Sequence, residues 1–233
     1  MTIAENVSNV KAQIAQAALS AGRNPGDILL CAATKMNDAD AVRQAIAAGV
    51  DCCGENRVQE LTVKLAENAY TGVPVHFIGH LQTNKVRQVV GNVDLIQSVD
   101  SLRLLVAIEK EAAKQGIIQN ILLEINIGNE ESKTGFSPTQ LPELLEEISA
   151  CSHIWVLGLM AIPPICQIPG GNRKFFQEMY NLAVDITAKK YDNIRVDILS
   201  MGMSDDYQDA IACGSTMIRV GTAIFGPRDY SKK

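Results

Sequence analysis

The sequence predicts a (β/α)8 TIM barrel, and three observations carry that expectation. Eight short apolar runs recur along the 233 residues, with helical patterns in every gap between them. Alternating strand and helix implies a parallel sheet closed by helical crossovers. The runs are almost continuously apolar, as strands covered on both faces are. The first run, Ile28-Leu29-Leu30-Cys31-Ala32-Ala33-Thr34-Lys35, is followed by Met36-Asn37-Asp38. It lacks the glycine fingerprint of the rival open, doubly wound sheet. The length is close to the roughly 250 residues of such barrels. One domain spanning 1–233 is expected, with an N-terminal helix over 1–22 and the barrel over 28–227.

Each element has its own signal. Ile3, Val7, Val10, Ile14 and Ala18 recur at helical spacing, and Gly22 and Pro25 end that helix. It is expected to cover the bottom of the barrel. The strand to Lys35 follows. Asp38 caps a helix bearing Val42, Ala45 and Ile46, stopped at Gly49. Cys52 to Asn56 is a short strand, and Val58, Leu61, Leu65 and Ala66 mark the next helix. Val75–His80 reads as a strand, Asn84–Val90 as a short helix and Leu95–Val99 as a strand. Asp100 is the expected cap of a helix that Gly116 ends. Ile121–Ile127 is a strand. Ser137-Pro138-Thr139-Gln140 combines a capping box with proline at the first helical position. Ile154–Ile162 is a strand, then a Pro/Gly loop runs from Pro163 to Gly171. Phe175, Met179, Leu182 and Ile186 mark a long helix. Val196–Ser200 is a strand, Ser204 caps a helix stopped at Gly214, and Thr216–Val220 is the last strand.

The net charge of −5 argues against a nucleic-acid binder, which needs a basic face for phosphates. An anionic ligand must therefore be held by a locally built site. The six cysteines form no C-x-x-C and lie mostly in apolar runs, so a reducing compartment is expected. His76 and His80 are separated by a strand-like stretch, and their spacing does not support a metal site. No signal peptide, membrane span or lipidation motif is seen, so a cytoplasmic protein with no membrane partner is expected.

The strand ends converge on polar groups. They include Lys35; Glu55-Asn56-Arg57; residues 79–84; Ser98 and Asp100; Asn126; Met160; Ser200-Met201-Gly202-Met203-Ser204; and Arg219-Val220-Gly221-Thr222. The last two clusters stand where barrels of this kind often bind phosphate, with hydroxyls, glycines and helix starts. A lysine at one strand and a phosphate cradle across the barrel suit pyridoxal 5′-phosphate. They also suit a sugar-phosphate aldolase that forms its imine without a cofactor.

Seven motifs carry a resemblance. They are Ala-Thr-Lys at 33–35, Gly-Glu-Asn-Arg at 54–57, Ile-Gly-His-Leu-Gln-Thr-Asn-Lys at 78–85, Ser-Lys-Thr-Gly-Phe at 132–136, Gly-Leu-Met at 158–160, Ser-Met-Gly-Met-Ser at 200–204 and Arg-Val-Gly-Thr-Ala-Ile-Phe-Gly at 219–226. With them the chain resembles the pyridoxal phosphate homeostasis proteins, single-domain relatives of the alanine racemase N-terminal barrel. Gln97 is a departure, since the resemblance leads us to expect histidine there. The resemblance implies a Schiff base between the cofactor and Lys35. It implies phosphate contacts from Ser200, Gly221 and Thr222, Arg219 opposite the pyridine nitrogen, and Asn56 near the ring hydroxyl. No catalytic residue and no metal are implied. The implied role is to hold, buffer or deliver the cofactor, with pyridoxal-phosphate-dependent apoenzymes as recipients and effects on amino-acid and keto-acid balance. A monomer or weak homodimer is expected.

The alternative is a racemase-like enzyme. Racemisation needs an acid/base on each face of the ring. None of Tyr70, Tyr180, Tyr191, Tyr207 and Tyr230 falls at an expected strand end. Lys133, after the fifth strand, is read as a solvated loop lysine rather than a secondary amine for the cofactor.

Overall fold

The computed structural model describes residues 1–130 and 133–227. Ser132 of the 132–136 motif and Tyr230 lie outside the described residues. Helix α1 (Ile3–Ser20) leads into β1 (Leu29–Ala33), α2 (Ala39–Ala47), β2 (Cys52–Glu55), α3 (Val58–Ala66), β3 (Val75–Phe77), β4 (Leu95–Val99), α4 (Leu102–Gln115), β5 (Gln119–Glu124), α5 (Leu141–Ser149), β6 (Ile154–Met160), α6 (Arg173–Thr187), β7 (Ile194–Ser200), α7 (Tyr207–Ala212), β8 (Met217–Val220) and α8 (Thr222–Phe225). The eight strands pair in chain order, all parallel, and β8 closes onto β1.

The expected TIM barrel is thus observed, and its core divides as strand alternation demands. Leu30, Ala32, Cys53, Phe77, Ile96, Ile121 and Leu123 pack outward in the large cluster shared with the helices. Cys31, Cys52 and Met217 pack in one small cluster, and Leu95, Leu122 and Met160 in another, with Ile198 against both. These two clusters are the barrel interior.

The structure corrects several boundaries. Between β3 and β4 the expected short helix at 84–90 is a six-residue 3-10 segment, Thr83–Gln88. β3 ends at Phe77 because the chain turns over Asn56 at Gly79. Ser101 rather than Asp100 caps α4, since the Asp100 carboxylate is bonded to His80 at 2.8 Å. Ser204 caps nothing; Asp206 accepts from the Met203 N–H at 2.8 Å and closes the turn before α7. Helix α1 does not cover the barrel bottom. It packs against α2, α7 and α8, with Asn6 bonded to Ile224 at one end and Arg23 to Ile211 and Ser215 at the other. α8 has four residues, so α1 fills the gap in the outer ring.

Gly79 is a position only glycine can hold. A Cβ there would lie 2.1 Å from the Asn56 carbonyl oxygen, a backbone atom that has no rotamer to escape into. We expect Gly79→Ala to cost about 3 kcal/mol, at the upper end of ordinary overpacking. The check is the urea midpoint at unchanged slope; a midpoint equal to the parent's would refute the close approach.

Candidate functional site

Lys35 lies just beyond β1, on the face set by Cys31 and Ala33, and is partly exposed. Its backbone is held from outside the barrel. The Lys64 ammonium, on α3, donates to the Thr34 carbonyl at 2.8 Å and to Glu55 Oε2 at 2.6 Å. Glu60, one turn earlier, accepts from the Met36 N–H at 2.7 Å. The two peptide groups flanking Lys35 are therefore both clamped by one helix. Met36 is left-handed, with φ of 62°, and the Glu60 bond holds that strained turn.

The clamp is buried. Side-chain exposure is 5% for Lys64 and 0% for Glu55. Glu55 also accepts from Thr34 Oγ1 at 3.0 Å, Tyr70 Oη at 3.3 Å and the Asn56 N–H at 2.8 Å. Burial, with Glu55 alongside, pushes the Tyr70 phenol well above its ordinary value. Sequence reading did not single out Lys64. Its signal is its position on the buried stripe of α3 with Val58 and Leu61.

A second network crosses the interior. Arg219 donates to the Ser200 carbonyl at 2.8 Å, to Ser200 Oγ at 2.5 Å and to the Ala161 carbonyl at 3.0 Å. Ser200 Oγ donates to Gln97 Oε1 at 2.7 Å, and Gln97 Nε2 meets His76 Nδ1 at 2.9 Å. Arginine can only donate, so it gives the chain a direction. Burial pulls the Arg219 guanidinium below its usual range, while Cys31 and Glu124 oppose that shift. Beyond His76 lies a thiol pair. Cys52 hydrogen-bonds Cys31, which draws Cys31 down to about 6 against burial, helped by His76, and drives Cys52 upward. On β5 the Glu124 carboxyl is raised by burial and by Asp100.

Of the sequence-predicted residues, Gly221 and Thr222 sit at the mouth beside β1. The pairing of Ala32 with Val220 brings Gly221 against Ala33, whose carbonyl would be 3.4 Å from an added Cβ. The phosphate-type turn is therefore next to the lysine's strand, not across the barrel. Arg219 is buried below it. The Ser200 side chain is also buried, its hydroxyl engaged by Gln97 and Arg219 rather than turned to the mouth. Asn56 Oδ1 is buried with no hydrogen-bond partner. Asn126 staples its own loop through Glu130 and Lys133. Lys133 is a partly exposed loop lysine that pairs with Glu130 and donates to the Pro163 carbonyl at 3.2 Å. An open groove of about 990 Å3 between the loops after β6 and β7 is lined by Ser204 but by none of Lys35, Asn56, Ser200, Arg219, Gly221 and Thr222.

Residues 3–229 match the family described as alanine racemase, N-terminal domain. A pyridoxal phosphate homeostasis protein of Aquifex aeolicus is 40% identical over 99% of this chain and 100% of its own length. One from Escherichia coli K12 is 40% identical over 99% of each chain. A solved structure of PipY from Synechococcus elongatus with pyridoxal phosphate bound has a TM-score of 0.83 at 32% identity, covering 97% of this chain and all of that one.

Lys64→Met leaves Glu55 buried beside fewer donors, and we expect a loss of about 3–5 kcal/mol, as when a buried pair loses one partner. A urea midpoint within experimental error of the parent's would show that the clamp carries no stability. Glu124→Gln mimics the neutral acid that burial favours. A raised carboxyl pKa contributes stability at low pH that is lost as pH rises through the folded-state value. The variant should thus be more stable than the parent at neutral pH, with the gain vanishing below the ordinary carboxylate range. Thermal midpoints from pH 4 to pH 8 check the sign.

Proposed function

The chain belongs to the alanine racemase N-terminal domain family and, within it, to the pyridoxal phosphate homeostasis proteins, and on that premise we propose that it binds pyridoxal 5′-phosphate through Lys35 and holds or delivers it. The observation that supports this best is the pairing of β1 with β8. One small ligand at the mouth reaches both an amine and the Gly221–Thr222 turn. The residues fit the group. The Asn56 Oδ1 atom is buried without a partner, Gly221 allows close backbone approach, and the Thr222 side chain is exposed at the mouth. When bound, the cofactor supplies an aldehyde that condenses with a primary amine and a pyridine ring that withdraws electrons.

A guanidinium at the ring nitrogen cannot accept a proton and only donates, so Arg219 favours an unprotonated ring and a weaker electron sink than a carboxylate partner gives. Pyridoxal-phosphate enzymes use either kind of partner, so Arg219 by itself does not decide between holding and turnover. The tyrosines support a holding role. Tyr70 bonds Glu55, Tyr191 bonds Glu146 and Tyr207 bonds Gln13, none of them at the mouth. Ser200 acts here as a positioning residue for Arg219, to whose guanidinium it presents both its carbonyl and its hydroxyl. No helix among the described residues is long and apolar enough to cross a membrane. In this reading the protein works in the cytoplasm and pyridoxal-phosphate-dependent apoenzymes are the recipients.

Borohydride reduction of the cofactor-loaded protein followed by peptide mapping should give a pyridoxyl adduct on Lys35. Lys35→Ala should lose the visible absorbance band while changing stability by only about 0.5 kcal/mol, as partly exposed sites do. An adduct chiefly on Lys85 or Lys133 would refute the assignment. With L- or D-alanine, solvent deuterium should enter the α-carbon slowly; exchange at enzyme-like rates would favour the racemase-like alternative.

A further inference from the structure

The deep end of the barrel carries a group of side chains that the cofactor reading does not use. Cys31, Cys52 and His76 come from three consecutive strands, and all three are buried. Each offers a ligand atom, and these atoms lie within 4.8 Å of one another. The Met217 side chain packs with both thiols, and its sulfur is 3.2 Å from Gln97 Nε2. Tetrahedral zinc, with bonds near 2.3 Å to sulfur and 2.0–2.1 Å to nitrogen, sets its ligand atoms about 3.5–3.8 Å apart. The cluster therefore needs to close by only about 1 Å, within the reach of side-chain torsions.

We propose that Cys31, Cys52 and His76 form a buried binding site for one thiophilic metal ion, with the Met217 sulfur as the fourth donor. Thiolate, thioether and imidazole together select zinc or copper(I) over harder cations. The charge also suits the place. Two thiolates neutralise a divalent ion, so the loaded site carries no net charge beside the buried Arg219, which acts electrostatically on Cys31. With copper(I) the site carries one negative charge facing that guanidinium. The thiols release their protons as they bind. Gln97 orients the imidazole. With its amide turned, its oxygen accepts from Nδ1–H and leaves the other ring nitrogen to the metal, the usual arrangement behind a ligating histidine.

The distances explain why sequence spacing is silent. The three ligands come one from each strand and meet only through the pairing of β1 with β2 and of β2 with β3. The register pairs Cys31 with Cys52, and His76 with Gly54 two residues further along β2. Gly54 matters here, since a Cβ at that position would come within 2.9 Å of Cys31 Sγ.

The test uses the full chain without cofactor, so its outcome is independent of the proposed role at the mouth. Zinc, cobalt(II) or copper(I) is added anaerobically under reducing conditions, both to folded protein and during refolding from urea, because the site is enclosed. After desalting, metal is quantified by mass spectrometry. One equivalent of zinc or copper should be retained, and the better competitor identifies the ion. The cobalt form should show intense sulfur-to-metal charge transfer. Cys31→Ser and Cys52→Ser should each weaken binding by more than about 100-fold, and Gln97→Leu by about 10- to 100-fold as an orienting partner does. A variant with the accessible Cys166 and Cys213 changed to serine should bind like the parent. Retention of no metal in either arm would overturn the proposal. So would retention undiminished in the Cys31→Ser/Cys52→Ser double variant, which would put the metal on other groups.

Discussion

An ion pair outside the barrel governs the lysine inside it. Lys64 and Glu55 are both withdrawn from water, and a charge placed there without its partner would be costly. Their shared geometry does more than offset desolvation. Lys64 also takes the Thr34 carbonyl, and Glu60 takes the Met36 N–H, so the backbone on each side of Lys35 is tied to α3. A lysine at a strand end is otherwise on a loop, where the chain is free to sample. Here the loop is anchored to a helix that is itself packed on the outer core through Val58 and Leu61.

That anchor works only because a strand alternates. Thr34 faces out to Glu55, while Cys31, Ala33 and Lys35 share the inner face. The same rule on β2 sends Glu55 outward and leaves Gly54 and Asn56 on the inner face. On β8 it turns Arg219 inward, to reach Ser200 and Ala161. Barrel closure then brings β8 against β1. Two networks of opposite character result: an outer one that fixes backbone, and an inner one that orients polar side chains under the mouth. Neither is a continuous surface feature, and each depends on the register between neighbouring strands.

Much of this was legible beforehand, for identifiable reasons. The eight strands were visible because parallel strands covered on both faces are apolar throughout. Lys35 stood out because it ends such a run. Gly221 and Thr222 were expected at the mouth from place and chemistry together, and the pairing of β8 with β1 sets them beside the end of β1. The errors have equally physical sources. Asp100 and Ser204 look like caps in sequence, but a carboxylate can be claimed by a histidine on the neighbouring strand, and a turn can be closed by a later aspartate. The cradle was set across the barrel because a linear reading does not join the first strand to the last. The Ser200 hydroxyl, expected at the phosphate, is bonded to Gln97 and Arg219 in the fold. The Lys64 clamp and the thiol cluster went unseen because they are made by pairs of residues that only the register unites.

The inner network also explains why Gln97 is compatible with this site although a histidine was expected there. The position must accept from Ser200 and address His76 at the same time. An amide does both, with its oxygen toward the hydroxyl and its nitrogen toward the ring, and it can also present the two ends in the reverse order. Arg219 fixes the upper part of the chain, because it donates and never accepts. Below Ser200 the order is set by whether His76 Nδ1 carries a proton. The chain therefore has a rigid end at the mouth and a reversible end at the thiols. Turning the Gln97 amide re-orients the Ser200 hydroxyl, while the guanidinium is held independently by the Ser200 and Ala161 backbone carbonyls.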